Sequence, residues 1–232
     1  SSETVQRLRQ QLREKFPAAH RGCGGSPQAV LDAARGHPSP RREATQATSS
    51  PFPLDTRHFP AGAITEISPA HPACGLTLLL AALLSDHPQS AIRDPQSPLV
   101  LIDARDRFDP ASFSPDECAR LLWLRCRETP QAMKAADLLL RDGNLSFVLL
   151  DLSALPAREL RRIPTSSWHR LRQLAETSGC TLLALTPAPL IPRAALRLTL
   201  TREFTLRHLD LSRTDLLAEI RTETTRRRAR TA

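Results

Sequence analysis

The segment "EISPAHPACGLTLLLAALL", residues 66–84, has the outline of a strand, a phosphate-binding loop and a helix. A phosphate loop follows G-x-x-x-x-G-K-[ST], in which backbone N–H groups surround the phosphates and the lysine reaches the outer ones. Gly75 and Thr77 stand at the last glycine and the hydroxyl position, but Leu76 replaces the lysine and Ala70 the first glycine. The segment therefore keeps part of the motif and lacks its cation.

The elements that must position this loop are short apolar runs separated by helical stretches. The runs predict strands, and the stretches between them have helical composition and periodicity. This alternation predicts an α/β fold, a mostly parallel sheet covered by helices on both faces. The predicted strands are 63–68, 98–104, 146–155 and 180–186, and the predicted helices are 75–84, 115–122, 129–141 and 166–178.

The chain divides into a core domain, residues 54–211, and three accessory pieces. We predict that residues 1–16 form an amphipathic helix and that residues 17–53, rich in Pro, Gly, Ser and Thr, form a flexible linker with one short helix at 27–34. Within the core, the alternating segment 195–211 predicts a hairpin. Residues 212–232 form a basic C-terminal tail.

This tail joins apolar residues to a cluster of arginines without an intervening glycine or proline. The pattern predicts a helix that forms on a partner, with the apolar residues docking on protein and the arginines assisting or touching DNA phosphates. A solvated terminus is the alternative. The residues in question are Leu216, Leu217, Ile220, Arg226, Arg227, Arg228 and Arg230.

The composition is basic, with a net charge of +8, and only Lys15 and Lys134 among the basic residues are lysines. An arginine excess indicates nucleic acid, phosphate or acidic protein partners, or a GC-rich genome. Five cysteines without a C-x-x-C pair, and scattered histidines, predict no disulfide framework and no metal site. The absence of a long apolar run or signal segment predicts a cytoplasmic protein with no membrane contact.

Four segments together resemble the ATPase core of RecA over roughly residues 52–200. In that family the first strand leads into the phosphate loop, a strand ending I-D-A-E carries a catalytic glutamate, and a strand ending in Asp supplies a Mg²⁺-linked carboxylate. Asp151 fits the last role, whereas Arg105 replaces the glutamate and Thr186 stands near the polar sensor position. The segments are "FPAGAITEISP", "PLVLIDARDRFDP", "QAMKAADLLLRDGNLSFVLLDLSAL" and "WHRLRQLAETSGCTLLALTP".

These departures remove two chemical functions. The lysine neutralises charge on the outer phosphates, and the glutamate orients the attacking water. We therefore expect no ATP hydrolysis and no cofactor, and we interpret Gly75, Leu76, Thr77 and Asp151 as a vestigial nucleotide site.

Within the RecA superfamily, "RLLWLRCRETPQAMKAADLLLRDGNLSFVLLDL", "RELRRIPTSSWHRLRQLAETSGCTLLAL" and "PRAALRLTL" are similar to ImuA proteins. That resemblance implies a non-catalytic accessory factor that acts in damage-induced translesion synthesis as part of the SOS response. It also implies that the protein is located at the nucleoid. The implied partners are an ImuB-like Y-family polymerase homologue and a DnaE-type error-prone polymerase. Single-stranded DNA, RecA and a second copy of the chain stay open as further partners.

Two alternatives stay open. One is a nucleotide-dependent enzyme that uses Arg93, Arg105 or Arg107 in place of the lysine. The other is a DNA-binding recombinase paralog, although most of RecA's first DNA-binding loop is missing between Asp151 and Trp168. Nucleotide titration tests the first alternative, and salt-dependent DNA binding tests the second.

Overall fold

The computed structural model describes residues 50–51, 59–84 and 98–227. The strands are β1 (Ser50–Pro51), β2 (Ile64–Pro69), β3 (Leu99–Asp103), β4 (Leu121–Arg125), β5 (Phe147–Asp151), β6 (Thr181–Leu185), β7 (Leu196–Leu200) and β8 (Arg221–Arg227). The helices are α1 (Leu76–Leu84), α2 (Pro115–Ala119), α3 (Thr129–Asp142), α4 (Ala157–Leu160), α5 (Thr165–Ser178) and α6 (Arg213–Glu219), with 3₁₀ turns at Pro110–Ser112 and Leu206–His208.

All eight strands form one sheet in the order β1-β8-β7-β2-β6-β5-β3-β4. The six strands from β7 to β4 run parallel to one another. Strand β8 pairs antiparallel with β7, and β1 pairs antiparallel with β8. The predicted α/β class with a mostly parallel sheet is confirmed.

Apolar side chains cover both faces of the sheet, because alternate residues of a strand point to opposite sides. Val148 and Leu150 pack on the face covered by α3 and α5, whereas Leu149 packs on the opposite face against α1. Leu149 is fully buried. Strand β5 is therefore apolar on both faces as far as Leu150, as its sequence suggested.

Two element predictions between residues 115 and 211 are wrong. The helix predicted at 115–122 ends at Ala119, and the next residues form β4, which pairs with β3 through Leu99 and Leu121. The hairpin predicted at 195–211 keeps its first arm as β7, but β7 pairs with β8 instead of with the residues that follow it. In both cases a pairing with a distant strand outweighs the local pattern.

The boundary predicted at residue 211 does not coincide with a boundary in the structure. Ser212 caps α6 through a hydrogen bond that its side chain accepts from Asp215 N. Strand β8 then extends the sheet as far as Arg227. Residues 212–227 thus belong to the core instead of a separate tail, because β7 would otherwise be an unpaired sheet edge.

Several predictions lie outside the described residues. These are the helix at 1–16, the short helix at 27–34, and the linker apart from Ser50 and Pro51, which form β1. None of the described helices combines the length and the apolar composition that crossing a membrane requires.

Candidate phosphate-loop site

The loop between β2 and α1 has the strand-loop-helix arrangement predicted for it. Its backbone turns through two left-handed residues, Ala73 with φ 63° and Gly75 with φ 74°, and α1 begins directly afterwards at Leu76. Ala70 N donates to Leu200 O at 2.8 Å, which fixes the start of the loop against β7. A left-handed alanine is strained, and such strain persists only where the surroundings enforce it.

Packing, in addition to the φ angle, favours glycine at position 75. A Cβ atom placed on it would lie 2.7 Å from Cε2 of Phe204, a contact that real Cβ atoms do not make. Phe204 N also donates to Ala73 O at 3.0 Å. The segment after β7 therefore lies against the loop, and only glycine fits beneath the Phe204 ring.

A cavity of about 850 Å³ opens beside this loop. Its walls come from the loop, from the segment after β3, from the end of β5 and from the start of α6. It lies at the carboxyl ends of parallel strands, where open α/β sheets bind their ligands. The structure brings all four predicted nucleotide-site residues to its lining: Gly75, Leu76, Thr77 and Asp151.

Asp151 is half-buried at the end of β5. Its Oδ1 accepts hydrogen bonds from Ser153 N at 2.9 Å and Ser153 Oγ at 2.6 Å. Burial raises the pKa of this carboxyl, and the two bonds from Ser153 oppose that change. The charge of Asp103 raises the pKa further, whereas the charge of Arg107 lowers it.

Leu76, at the position where the phosphate-loop motif has lysine, is apolar. Leu76 packs against the core cluster on the α1 face of the sheet. Two arginines line the cavity instead, and Arg213 is already engaged, since it donates to Ser112 O and its guanidinium lies 5.1 Å from the Phe113 ring. Arg107 makes no hydrogen bond or ion pair within the described residues.

Arg105, which the RecA resemblance places at the glutamate position, is part of an ion pair. Arg105 donates through Nη2 to Glu159 Oε2 at 2.6 Å. Glu159 Oε1 also accepts from Thr129 Oγ1 at 2.5 Å, and this bond, aided by Arg105, lowers the pKa of Glu159. Arg105 is not among the residues that line the cavity.

Aromatic side chains hold the wall formed by the segment after β3. The Phe108 ring lies 5.0 Å from both Phe113 and Trp123, measured between ring centroids. Asp103 accepts from Phe108 N at 2.8 Å and from Trp123 Nε1 at 3.3 Å. Trp123 is therefore a structural residue of this wall, and Trp168, only 5% exposed, is a core residue.

Glu66 is a residue that the sequence analysis did not single out. It is fully buried in β2 and pairs with Arg197 Nε at 2.7 Å. Its Oε1 accepts from Thr186 Oγ1 at 3.1 Å and from the backbone N–H groups of Leu190 and Ile191 at 2.6 and 2.9 Å. A glutamate inside the apolar run "AITEIS" was the available signal, because a buried charge requires such partners.

The residues predicted to dock on a partner do not form one exposed surface. Ile220 is 1% exposed, and Leu217 packs against the same α1-side cluster. Leu216 is half-buried. The backbones of Arg226 and Arg227 lie in β8, and the last two predicted arginines, Arg228 and Arg230, lie outside the described residues.

The described residues contain no group of three His, Cys, Asp or Glu side chains placed to hold a metal ion. Cys126 and Cys180 are buried, and burial raises the pKa of each thiol to about 12. A thiol with so high a pKa remains protonated and is a poor nucleophile at neutral pH.

No family model and no curated protein matches this chain. Among solved structures, the crystal structure of the RadB recombinase is similar to it, with a TM-score of 0.46 and 15% sequence identity. The similarity covers 63% of this chain and 78% of that one.

Proposed function

We propose that this chain is a RecA-like accessory protein that does not hydrolyse nucleotide and acts as an adaptor in damage-induced translesion synthesis. Its partners in this proposal are those that the ImuA resemblance implies, an ImuB-like polymerase homologue and a DnaE-type polymerase. The observation that carries the proposal is that the loop site has some residues of a phosphate-loop ATPase and lacks others. Gly75, Thr77 and Asp151 share one cavity, yet the lysine and glutamate positions hold Leu76 and Arg105.

Leu76 and Arg105 differ in the contacts that they make in place of the expected lysine and glutamate. Leu76 contributes an apolar contact to the core, so the site loses a cation and gains packing. Arg105 carries the wrong charge to orient a water, and its pairing with Glu159 holds it in place. Each loss removes a group to which phosphoryl-transfer enzymes owe several powers of ten in rate.

ATP turnover by the purified chain tests the catalytic half of the proposal. We expect no phosphate release above background, with or without single-stranded DNA. Leu76→Lys should not restore turnover, because Arg105 remains in the glutamate position. DNA-stimulated hydrolysis that Asp151→Ala abolishes would overturn the proposal.

Co-expression with the ImuB-like subunit tests the partner half. Because Ile220 is buried in this chain's own core and Leu217 is partly buried against it, a partner would meet other apolar residues. Leu206 and Leu209, after β7, are 83% and 76% exposed. We expect Leu206→Ser combined with Leu209→Ser to abolish co-purification while the melting temperature stays unchanged, and undiminished co-purification would contradict the assignment.

A second candidate function, nucleotide binding through an atypical loop, has one observation in its favour. Arg107 lines the cavity, influences the pKa of Asp151, and has no hydrogen-bond partner within the described residues. An arginine there could contact phosphate in place of the lysine. Titration with a fluorescent ATP analogue would show saturable binding that Arg107→Ala weakens, whereas the adaptor proposal expects none.

A further inference from the structure

Helix α4 and the turn after it carry three arginines with helical spacing. Arg158, Arg161 and Arg162 are all exposed. Residues three and four apart on a helix are neighbours on one face. Within the part of the chain that the structure describes, none of the three guanidinium groups makes a hydrogen bond or an ion pair.

The carboxylate nearest to these arginines in sequence already accepts hydrogen bonds from other residues. Glu159 is the only acidic residue in the segment 156–164. One of its oxygens accepts from Arg105 at 2.6 Å and the other from Thr129 at 2.5 Å. The charge of Arg158 helps to lower the pKa of Glu159, so this carboxylate compensates Arg158 in part. Arg161 and Arg162 have no ion-pair partner within the described residues.

The backbone that presents the arginines is fixed. Leu160, between them, is 3% exposed and anchors the segment in the core. Arg161 N donates to Ala157 O at 3.0 Å, and Arg162 N donates to Glu159 O at 3.1 Å. A fixed backbone reduces the ordering that binding would otherwise require.

The surroundings of the arginines favour a peptide over a nucleic acid. Ile163 is half-buried beside them and offers an aliphatic contact. Trp168, the one Phe, Tyr or Trp residue in 152–178, is 5% exposed, so its ring is not available for a base to stack on. The exposed His169 is engaged by Arg172, with 3.2 Å between His169 Nε2 and Arg172 Nη2. Guanidinium groups form paired hydrogen bonds with carboxylates.

We infer that Arg158, Arg161 and Arg162 bind an acidic peptide segment of a partner protein. Its carboxylates recur at three- to four-residue spacing, matching the arginines, and an aliphatic residue of the peptide contacts Ile163. The inference rests on the proposed adaptor role and names one surface through which that role would operate.

Fluorescence anisotropy with two synthetic peptides tests this. The probe is a labelled 14-residue amphipathic peptide with four glutamates at helical positions three and four residues apart and leucines beside them. The control peptide has glutamine at those four positions. We expect saturable binding of the glutamate peptide only. Arg161→Glu combined with Arg162→Glu should weaken it about tenfold, since each exposed ion pair contributes a few-fold in affinity.

The matched control is Arg193→Glu combined with Arg207→Glu. Both residues are exposed and without an ion pair in the described structure, and the pair changes the net charge equally. Equal weakening in the two double variants would reduce the effect to net charge and overturn the inference, as would no saturable binding of the glutamate peptide.

A labelled 30-nucleotide oligo(dT) distinguishes the remaining ligand class. Tighter binding of this strand than of the peptide, lost in the Arg161/Arg162 variant, would assign the surface to nucleic acid and overturn the inference. The assay uses the purified protein without ATP and without the ImuB-like subunit. Its failure therefore leaves the ATP turnover and co-purification tests of the adaptor role unaffected.

Discussion

Glu66 and Asp151 both lie on central strands of the sheet, but they are surrounded differently. Glu66 is fully buried, accepts hydrogen bonds from three donors in the segment between β6 and β7, and pairs with Arg197. Within the described residues, the Asp151 side chain accepts hydrogen bonds only from Ser153, two residues away, and Asp151 lines a cavity. A carboxylate whose oxygens are all occupied holds the structure together, whereas one with spare acceptor capacity is free to meet a ligand.

The largest expected effect is on Glu66. Glu66→Ala leaves Arg197 and two backbone N–H groups without their acceptor inside the fold, so we expect a loss of about 3–5 kcal/mol in the free energy of unfolding. Denaturant unfolding measures this. The control is Glu219→Gln, at a more exposed ion pair with Arg202, for which we expect less than about 1 kcal/mol. Equal losses in the two variants would contradict the distinction.

The next effect concerns Gly75. Gly75→Ala introduces a left-handed alanine and a clash with Phe204, so we expect about 2–3 kcal/mol of destabilisation. Gly143→Ala is the matched control, because Gly143 has φ 71° and open space around it; it should cost about 1–2 kcal/mol. Thermal or chemical unfolding measures both.

The excess cost at Gly75 should disappear when Phe204 is shortened. In a Phe204→Ala background, Gly75→Ala and Gly143→Ala should destabilise by similar amounts, within about 0.5 kcal/mol. An excess that persists in that background would mean that Phe204 does not explain the glycine.

A smaller effect is expected in the pH dependence of stability. The pKa of Asp151 is raised in the folded state, so its contribution is fully present below the unfolded pKa and is lost as the pH rises through the folded value. Asp151→Asn should therefore lose less stability than the parent protein as the pH rises from 4 to 7. Unfolding curves at several pH values measure this difference.

Glu159 supplies a control, because its pKa shift is opposite in direction to that of Asp151. Its pKa is lowered in the folded state, so its contribution is present above the unfolded pKa and is lost as the pH falls through the folded value. Glu159→Gln should flatten the acid side of the profile instead. A parallel change in both variants would show that the two carboxyls do not differ as described.

The sequence predicted the parts of the fold that are determined locally. Continuous apolar runs and flanking helices were sufficient to place β3, β5 and β6, because a strand buried on both faces has few polar positions. Strand β2 was placed from Ile64 and Ile67, although three of its residues are polar. Strand β4 was missed because "LLWLR" follows a helix directly. The pairing of β8 with β7 depends on a contact across the segment between them, which no local pattern reveals.

The candidate site was predicted to a similar extent. Gly75, Thr77 and Asp151 share a cavity because the carboxyl ends of parallel strands meet at one edge of the sheet. The Phe204 ring above Gly75 and the pairing of Arg105 with Glu159 are contacts between distant segments. The sequence placed Leu76 and Arg105 at positions where the motifs have lysine and glutamate, but it did not show which residues these two side chains contact.

The position of β2 in the sheet has a consequence for how the molecule folds. Both neighbours of β2 come late in the chain, since Ile64 pairs with Leu182 and Thr65 pairs with Leu196; Glu66 and Thr186 are 120 residues apart. Pairings over such separations close large loops and are slow to form. The strand that carries the loop is therefore locked in only when β6 and β7 arrive, so a chain that has not yet completed those strands has neither the centre of its sheet nor its candidate site.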